Sequence, residues 1–204
     1  MPLDEAYNRA LAELSRVAPY VAAAKSGCKF EQGMFQVPFF DRKFVIHFPQ
    51  ISVEETGQSI SPPKIIQLVL FHYLITADGT QVADEWIGYR QLPATGLFEQ
   101  RFYNLALRSL VNAFGHDLEG FRRAALSLGG VPMGRTGDAS FRFLALPNIP
   151  MACILYLGDE EMTSSVNILF DAAAHHYLPT EDLTFLGSYL SSALRQRKTA
   201  KPLD

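Results

Sequence analysis

Residues 141–182 decide the predicted fold, and their sequence is FRFLALPNIPMACILYLGDEEMTSSVNILFDAAAHHYLPTED. The stretch contains three apolar segments of strand length, Phe141–Leu146, Met151–Leu157 and Val166–Phe170. Each segment is bounded by Pro, Gly, Asn or Ser, and apolar runs of this length between turn residues are typical of buried β-strands. The stretch therefore predicts strands of a mostly antiparallel sheet.

The same stretch carries the densest group of carboxylates and histidines in the chain. Gly158-Asp159-Glu160-Glu161 lies between the second and third apolar segments, and Asp171, His175 and His176 follow the third. This group supplies most of the candidate site residues.

Helices are predicted on both sides of these strands. Residues 63–77 are apolar on nearly every side, which predicts a buried central helix. Leucines at three- and four-residue spacing predict an amphipathic helix over residues 3–16 and a last helix that begins at Thr180. The alternation in residues 28–48 predicts two or three more antiparallel strands. We expect one α+β domain over residues 1–204, with a helical segment at 1–26 and an α+β core at 27–204.

Composition excludes some classes of function. The net charge of −3 argues against a protein that binds a nucleic-acid backbone. No segment reaches the ~20 apolar residues that a membrane helix needs, and the N-terminus lacks a secretory pattern. Cys28 and Cys153 lie far apart in the sequence and outside any metal-ligand spacing, which favours reduced thiols. The prediction is a cytoplasmic protein without membrane or nucleic-acid partners.

Asp171 and His175 are four residues apart, so a helical turn would place them on one face as a carboxylate–histidine pair or metal site. His176 would point about 100° away on that turn, which disfavours chelation of one metal ion by both histidines. The simpler interpretation, an Asp that caps a short turn beside two partly exposed histidines, is favoured.

Asp159, Glu160 and Glu161 place three carboxylates in one turn. Hard cations need oxygen ligands from several positions, and the segment lacks the spacing of a calcium-binding loop. A solvated acidic turn is therefore the favoured interpretation.

Trp86 and Arg90 are predicted to share one face of a strand over residues 85–91. A planar cation beside a large ring suits the stacking of a flat ligand or the anchoring of an anion. A structural Arg paired with Asp84 or Glu85 is the alternative.

An ordered set of short motifs resembles an uncharacterised prokaryotic family, a domain of unknown function. The motifs are WIGYRQLP at 86–93, Leu146-Pro147, GDEE at 158–161, LFD at 169–171 and LPTED at 178–182. The family is common in anaerobic bacteria and archaea, and some members carry an iron–sulfur segment of the kind found beside corrinoid proteins. This chain has no such cysteine run, so the resemblance implies that any cluster belongs to a partner. The family offers no established catalytic residues to transfer.

Three functions remain open at this point. The first is a module that binds a flat or anionic cofactor, such as a corrinoid or other tetrapyrrole, in anaerobic redox metabolism, with an iron–sulfur or corrinoid protein as partner. Its candidate residues are Trp86, Arg90, Asp159, Glu160, Asp171 and His175, and His175 and His176 are candidate metal ligands. The second is a small metal-assisted or acid–base enzyme that uses residues 159–161, Asp171 and His175. The third is an interaction or assembly domain without a small ligand.

Overall fold

The computed structural model describes residues 2–58, 60–134 and 136–199. The chain divides into two compact units. The first contains the chain up to Ala83 together with Ala145–Ile149 and Ala173–Pro179. The second contains Asp84–Leu144, Pro150–Ala172 and the chain from Thr180 onward.

The first unit combines helices with one antiparallel sheet. Its helices are α1 (Leu3–Leu14), α2 (Pro19–Ser26) and α3 (Lys64–Thr76). Its sheet has the order β1-β2-β3-β4, formed by Lys29–Glu31, Met34–Phe39, Arg42–His47 and Ser52–Glu55. Consecutive strands are antiparallel neighbours, because each is joined to the next by a short turn.

The apolar helix α3 is buried on most sides, which confirms the prediction of a central apolar helix. Val69, Leu70 and Phe71 are consecutive and fully buried, so no face of the helix is left for solvent in this turn. The helix α1 packs in the same unit, where the Tyr7 hydroxyl donates a 2.9 Å hydrogen bond to Oε1 of the buried Gln67.

The second unit holds most of the other sheet, which has the order β5-β9-β8-β7-β6. These strands are Trp86–Gly88 (β5), Val131–Pro132 (β6), Ala139–Leu146 (β7), Ile149–Tyr156 (β8) and Ser165–Asp171 (β9). The three strands predicted from residues 141–182 are thus confirmed as β7, β8 and β9. All described pairings in this sheet are antiparallel.

Helices α4 (Glu99–Phe102), α5 (Ser109–Phe114), α6 (Leu118–Ser127) and α7 (Thr180–Thr199) complete the elements of this unit. A π-helical segment, Tyr103–Arg108, joins α4 to α5. In α7 the predicted leucine stripe is confirmed, since its four members are fully buried: Leu183, Leu186, Leu190 and Leu194.

These elements confirm the α+β class with antiparallel sheets. Cys28 and Cys153 are both free and buried. Within the residues that the structure describes, no helix has the length and apolar character that a membrane span requires.

One predicted strand is much shorter than expected. Residues 85–91 were expected to be extended, but β5 ends at Gly88 and Tyr89–Gln91 form a 3-10 turn. The Gln91 side chain accepts a 2.7 Å hydrogen bond from the Gly88 N–H, which takes a donor that a longer strand would use. The hypothesis that Trp86 and Arg90 share a strand face is therefore wrong.

Candidate functional site

A histidine–carboxylate pair lies at the C-terminal end of α3. Asp78 lies two residues after the last residue of that helix, and His176 ends a 3-10 turn over Ala174–His176. The Nδ1 atom of His176 lies 2.7 Å from Oδ2 of Asp78. Both residues belong to the first unit, although 98 positions separate them in the sequence.

Thr80 fixes the carboxylate of Asp78. Its backbone N–H donates a 2.8 Å hydrogen bond to Oδ1 of Asp78, so the carboxylate closes a local turn. Hydrogen bonds from the Thr80 hydroxyl, from the Thr80 N–H and then from His176 lower the pKa of Asp78 well below its usual range. Asp78 is consequently ionised at neutral pH and can accept a hydrogen bond from an N–H group of the imidazole.

Gly79 allows this turn to form beside α2. Its φ of +89° lies in the left-handed region that residues with a side chain rarely adopt. An added Cβ at this position would lie 3.6 Å from the Cγ atom of Lys25. The stem of Lys25 therefore packs closely along the loop that carries Asp78.

Tyr177 directly follows the 3-10 turn that contains His176 and joins that turn to α3. Its hydroxyl donates to the Thr80 carbonyl, and its own carbonyl accepts a hydrogen bond from the Thr76 hydroxyl. Its ring is 1% exposed and packs against Tyr73, with the centroids 5.8 Å apart. The position of His176 is thus set by a buried neighbour rather than by the exposed turn alone.

Tyr73 extends these hydrogen bonds into the core of the unit. Its hydroxyl donates to the Ser26 carbonyl at 2.6 Å and accepts from the Asn148 N–H at 3.0 Å. Burial raises the pKa of Tyr73 above its ordinary value, so its hydroxyl stays protonated. The ring on which Tyr177 packs is therefore held by a polar network whose hydrogen-bonding groups have partners.

The geometry leaves one nitrogen of His176 for a ligand. With Nδ1 directed at Asp78, the proton belongs on Nδ1 and the lone pair belongs on Nε2. Across the residues that the structure describes, Nε2 makes no hydrogen bond, and the side chain is 37% exposed. Such an imidazole can coordinate a metal centre or accept a proton.

His175 is exposed beside His176, with the ring centroids 4.3 Å apart. In residues 2–58, 60–134 and 136–199 no group of three or more His, Cys, Asp or Glu residues is arranged to hold a metal ion. The pair of histidines therefore lacks a third protein ligand in this part of the chain.

The structure does not place Asp171 on a helical face with His175. Asp171 is the last residue of β9 and is 1% exposed, because the ladder with β5 extends to it. The 3-10 turn begins only at Ala174. The prediction that Asp171 and His175 lie on one face of a helical turn is therefore wrong.

Trp86 and Asp171 are brought together, since they are directly opposite each other in the β5–β9 ladder. Arg90 is instead directed to Glu99, with which it forms an ion pair, and its side chain is 83% exposed. Asp84 and Glu85, the partners predicted for Arg90, do not form this ion pair.

The acidic turn lies at the other end of β9. Asp159–Glu161 precede Ser165, whereas Asp171 ends the strand, and seven residues of strand span about 20 Å. The Oδ1 atom of Asp159 accepts hydrogen bonds from the N–H groups of Met162 and Glu161 at 2.7 and 2.9 Å, which lower its pKa. The turn therefore uses Asp159 locally, and the structure does not join it to Trp86 and Asp171.

A family model described as a domain of unknown function, DUF3786, matches residues 18–193. The chain belongs to the DUF3786 family. This match confirms the resemblance to a domain of unknown function. No curated protein and no solved structure matches this DUF3786 chain.

Sequence reasoning missed the partner of His176. None of Asp78, Gly79 and Thr80 was a candidate site residue in the sequence. An Asp-x-Thr segment after a helix is a recognisable local turn. Its approach to a histidine 98 positions away leaves no signal in a single sequence.

Proposed function

We propose that this DUF3786 chain is a cofactor-binding module in which His176 supplies one imidazole ligand to the metal of a flat, anionic cofactor. Corrinoids and other tetrapyrroles are the class of ligand that fits. We place the module in the cytoplasm and in anaerobic redox metabolism, with an iron–sulfur or corrinoid protein as partner, on the basis of the family resemblance alone.

The observation that carries this proposal is the 2.7 Å contact between Nδ1 of His176 and Oδ2 of Asp78. Histidine ligands of metals commonly donate the other ring N–H to a carboxylate, which fixes the tautomer and raises the basicity of the ligating nitrogen. His176 alone would hold the metal of such a cofactor, because a tetrapyrrole would supply the remaining donor atoms itself. When bound, such a cofactor supplies redox or group-transfer chemistry at its metal.

Visible absorbance titrations test the proposal with two probes, haemin and aquocobinamide, a corrinoid without a base of its own. We expect the native protein to shift the bands of at least one probe, and His176→Ala to abolish the shift. Asp78→Asn should weaken binding by about 10- to 100-fold, since the carboxylate orients the ligand. His116→Ala, which changes an exposed histidine of the second unit, is the matched control.

Two results would contradict the proposal. Band shifts of equal size in the native protein and in His176→Ala would exclude His176 as the ligand. Loss of the shift in His175→Ala but not in His176→Ala would transfer the role to the exposed neighbour.

The same pair supports a second candidate, an acid–base enzyme, because a carboxylate-oriented imidazole can act as a general base. This candidate would rest on Asp78 and His176 instead of the acidic turn and Asp171. A hydrolysis screen with activated esters tests it: turnover lost in His176→Ala and Asp78→Asn, and kept in His116→Ala, would favour the enzyme.

A further inference from the structure

The outer face of the first sheet carries a positively charged cleft. Across the strands, Lys29 lies opposite Gln36, Gln36 lies opposite Val45, and Pro38 lies opposite Lys43. Side chains alternate between the two faces of a strand, so these residues lie on the face opposite the buried Phe35, Val37 and Phe39. The strand register therefore brings two lysines to one face.

The cleft on this face has the size of a ligand site. It encloses about 430 Å³, and ligand pockets commonly have about 300–1,000 Å³. Met34 and Val45 are half-buried and form an apolar floor, and Lys29, Lys43 and Gln36 are exposed around it. An apolar floor with a polar rim suits a ligand that has an apolar body and a charged group.

Three glutamates lie near the cleft but do not line it. Glu31 is opposite Met34 in the ladder, on the same face, and is exposed. Glu54 is opposite Val45 in the ladder, but its carboxylate lies 3.5 Å from Nε2 of His47. Glu55 pairs with Arg42. In the part of the chain that the structure describes, the ammonium groups of Lys29 and Lys43 form no ion pair or hydrogen bond. The lining of the cleft thus contains two positive charges and no carboxylate, while Glu31 lies on the same face of the sheet.

We propose that this cleft binds a small organic anion, with its carboxylate or phosphate between Lys29 and Lys43 and its apolar body on Met34 and Val45. The two lysines of the lining attract an anion within the cleft, and contact with the floor selects anions that also carry apolar surface. This site does not involve His176, and its existence does not depend on the cofactor proposed above.

Fluorescence titration with 8-anilinonaphthalene-1-sulfonate tests the site, since this probe joins an anion to an apolar body. We expect Lys29→Gln/Lys43→Gln to weaken binding about tenfold, which corresponds to two exposed charge contacts. The uncharged analogue N-phenyl-1-naphthylamine should bind both proteins equally. Arg9→Gln/Lys64→Gln removes two positive charges from ion pairs on helices of the same unit and should leave the titration unchanged.

A second variant tests the floor of the cleft. Val45→Trp should weaken both probes, because the larger side chain fills the space above Met34. Competition by decanoate and by decyl phosphate then separates a carboxylate site from a phosphate site. Equal loss of the anionic probe in the lysine variant and in its control would overturn the proposal, as would failure of both competitors to displace the probe.

Discussion

The rings of Tyr73 and Tyr177 pack 5.8 Å apart with an angle of 30° between their planes. Tyr73 belongs to α3, and Tyr177 directly follows the turn that carries His176. Hydrogen bonds at both the side chain and the main chain of Tyr177 join that turn to Thr76 and Thr80. The orientation of His176 toward Asp78 therefore depends on buried packing that exists before any ligand binds.

Truncation of Tyr177 should destabilise the protein strongly. Tyr177→Ala removes a fully buried aromatic ring, and we expect a loss of about 3–5 kcal/mol in the free energy of unfolding. Tyr177→Phe keeps the ring and loses the hydrogen bond to Thr80, so about 1 kcal/mol is expected. Urea denaturation measures both values. Tyr20→Ala, at a residue that is 72% exposed, should change stability by less than about 0.5 kcal/mol. Similar losses in the two Tyr177 variants would refute the packing argument.

The Asp78 carboxylate should make stability depend on pH. Its pKa is lowered in the folded protein by Thr80 and His176, so the folded state favours the ionised form. Its contribution is therefore complete above the ordinary value of 3.8 and is lost as the pH falls further. We expect the Tm difference between the native protein and Asp78→Asn to be constant at neutral pH and to shrink below about pH 4.

Thermal melts over this pH range provide the measurement. Glu160→Gln, which removes an exposed carboxylate of the acidic turn, serves as the control. The Tm difference between this variant and the native protein should not shrink below about pH 4. A difference between the native protein and Asp78→Asn that grows on acidification would show that the carboxylate is not stabilised by these hydrogen bonds.

Both thiols should be unreactive in the folded protein. Burial raises the pKa of Cys28 to about 11 and raises that of Cys153, which is 0% exposed. Only the thiolate attacks a disulfide reagent, so Ellman's reagent at about pH 8 should react with neither residue. In concentrated guanidinium chloride both should react.

Since the raised pKa favours the protonated thiol in the folded protein, the stabilising contribution of Cys28 should be lost as the pH rises from its ordinary pKa of 9.0 to about 11. Rapid labelling of the native protein would contradict the burial of these side chains.

Elements that bury a continuous apolar pattern could be predicted from the sequence. Helix α3 and the strands β7, β8 and β9 were expected because each contains a run of apolar residues of suitable length. In the structure α3 and β8 are buried along most of their length, whereas β7 and β9 also have exposed residues. The stripe of α7 was expected because its leucines recur with the period of a helix. In these elements local preference and burial agree.

Residues 89–91 could not be predicted in this way. The sequence alternates as a strand would, but Tyr89 stacks on Phe102, with 3.9 Å between centroids, and its hydroxyl lies 2.6 Å from that of Thr184. Those contacts come from distant parts of the chain and outweigh the local preference for extended structure. Arg90 then lies on the opposite side of the 3-10 turn and pairs with Glu99.

The candidate site was predicted only in part. His176 was noted as a candidate metal ligand, but the carboxylate–histidine pair was sought between Asp171 and His175, which are four residues apart, on the assumption of a helix. The actual carboxylate, Asp78, is supplied by the loop after α3. Local spacing can suggest a pair within one element, whereas a pair between two elements depends on tertiary packing that periodicity does not encode.

Gly187 in α7 should not tolerate even a methyl group. An added Cβ would lie 2.3 Å from a ring atom of Phe102, which is 2% exposed and held in its stack with Tyr89. Replacement of Gly by Ala in a helix normally gains about 1 kcal/mol, so a favourable change is expected from propensity alone. The overlap should exceed this gain, and we expect Gly187→Ala to lose about 1–3 kcal/mol of the free energy of unfolding.

Gly96→Ala is the matched control, because nothing lies within 4 Å of its added Cβ. The double variant Gly187→Ala/Phe102→Leu should lose less free energy of unfolding than the sum of the two single losses, since the smaller side chain relieves the overlap. Urea denaturation of the four variants gives the coupling energy, and strictly additive effects would show that Phe102 is not the obstacle.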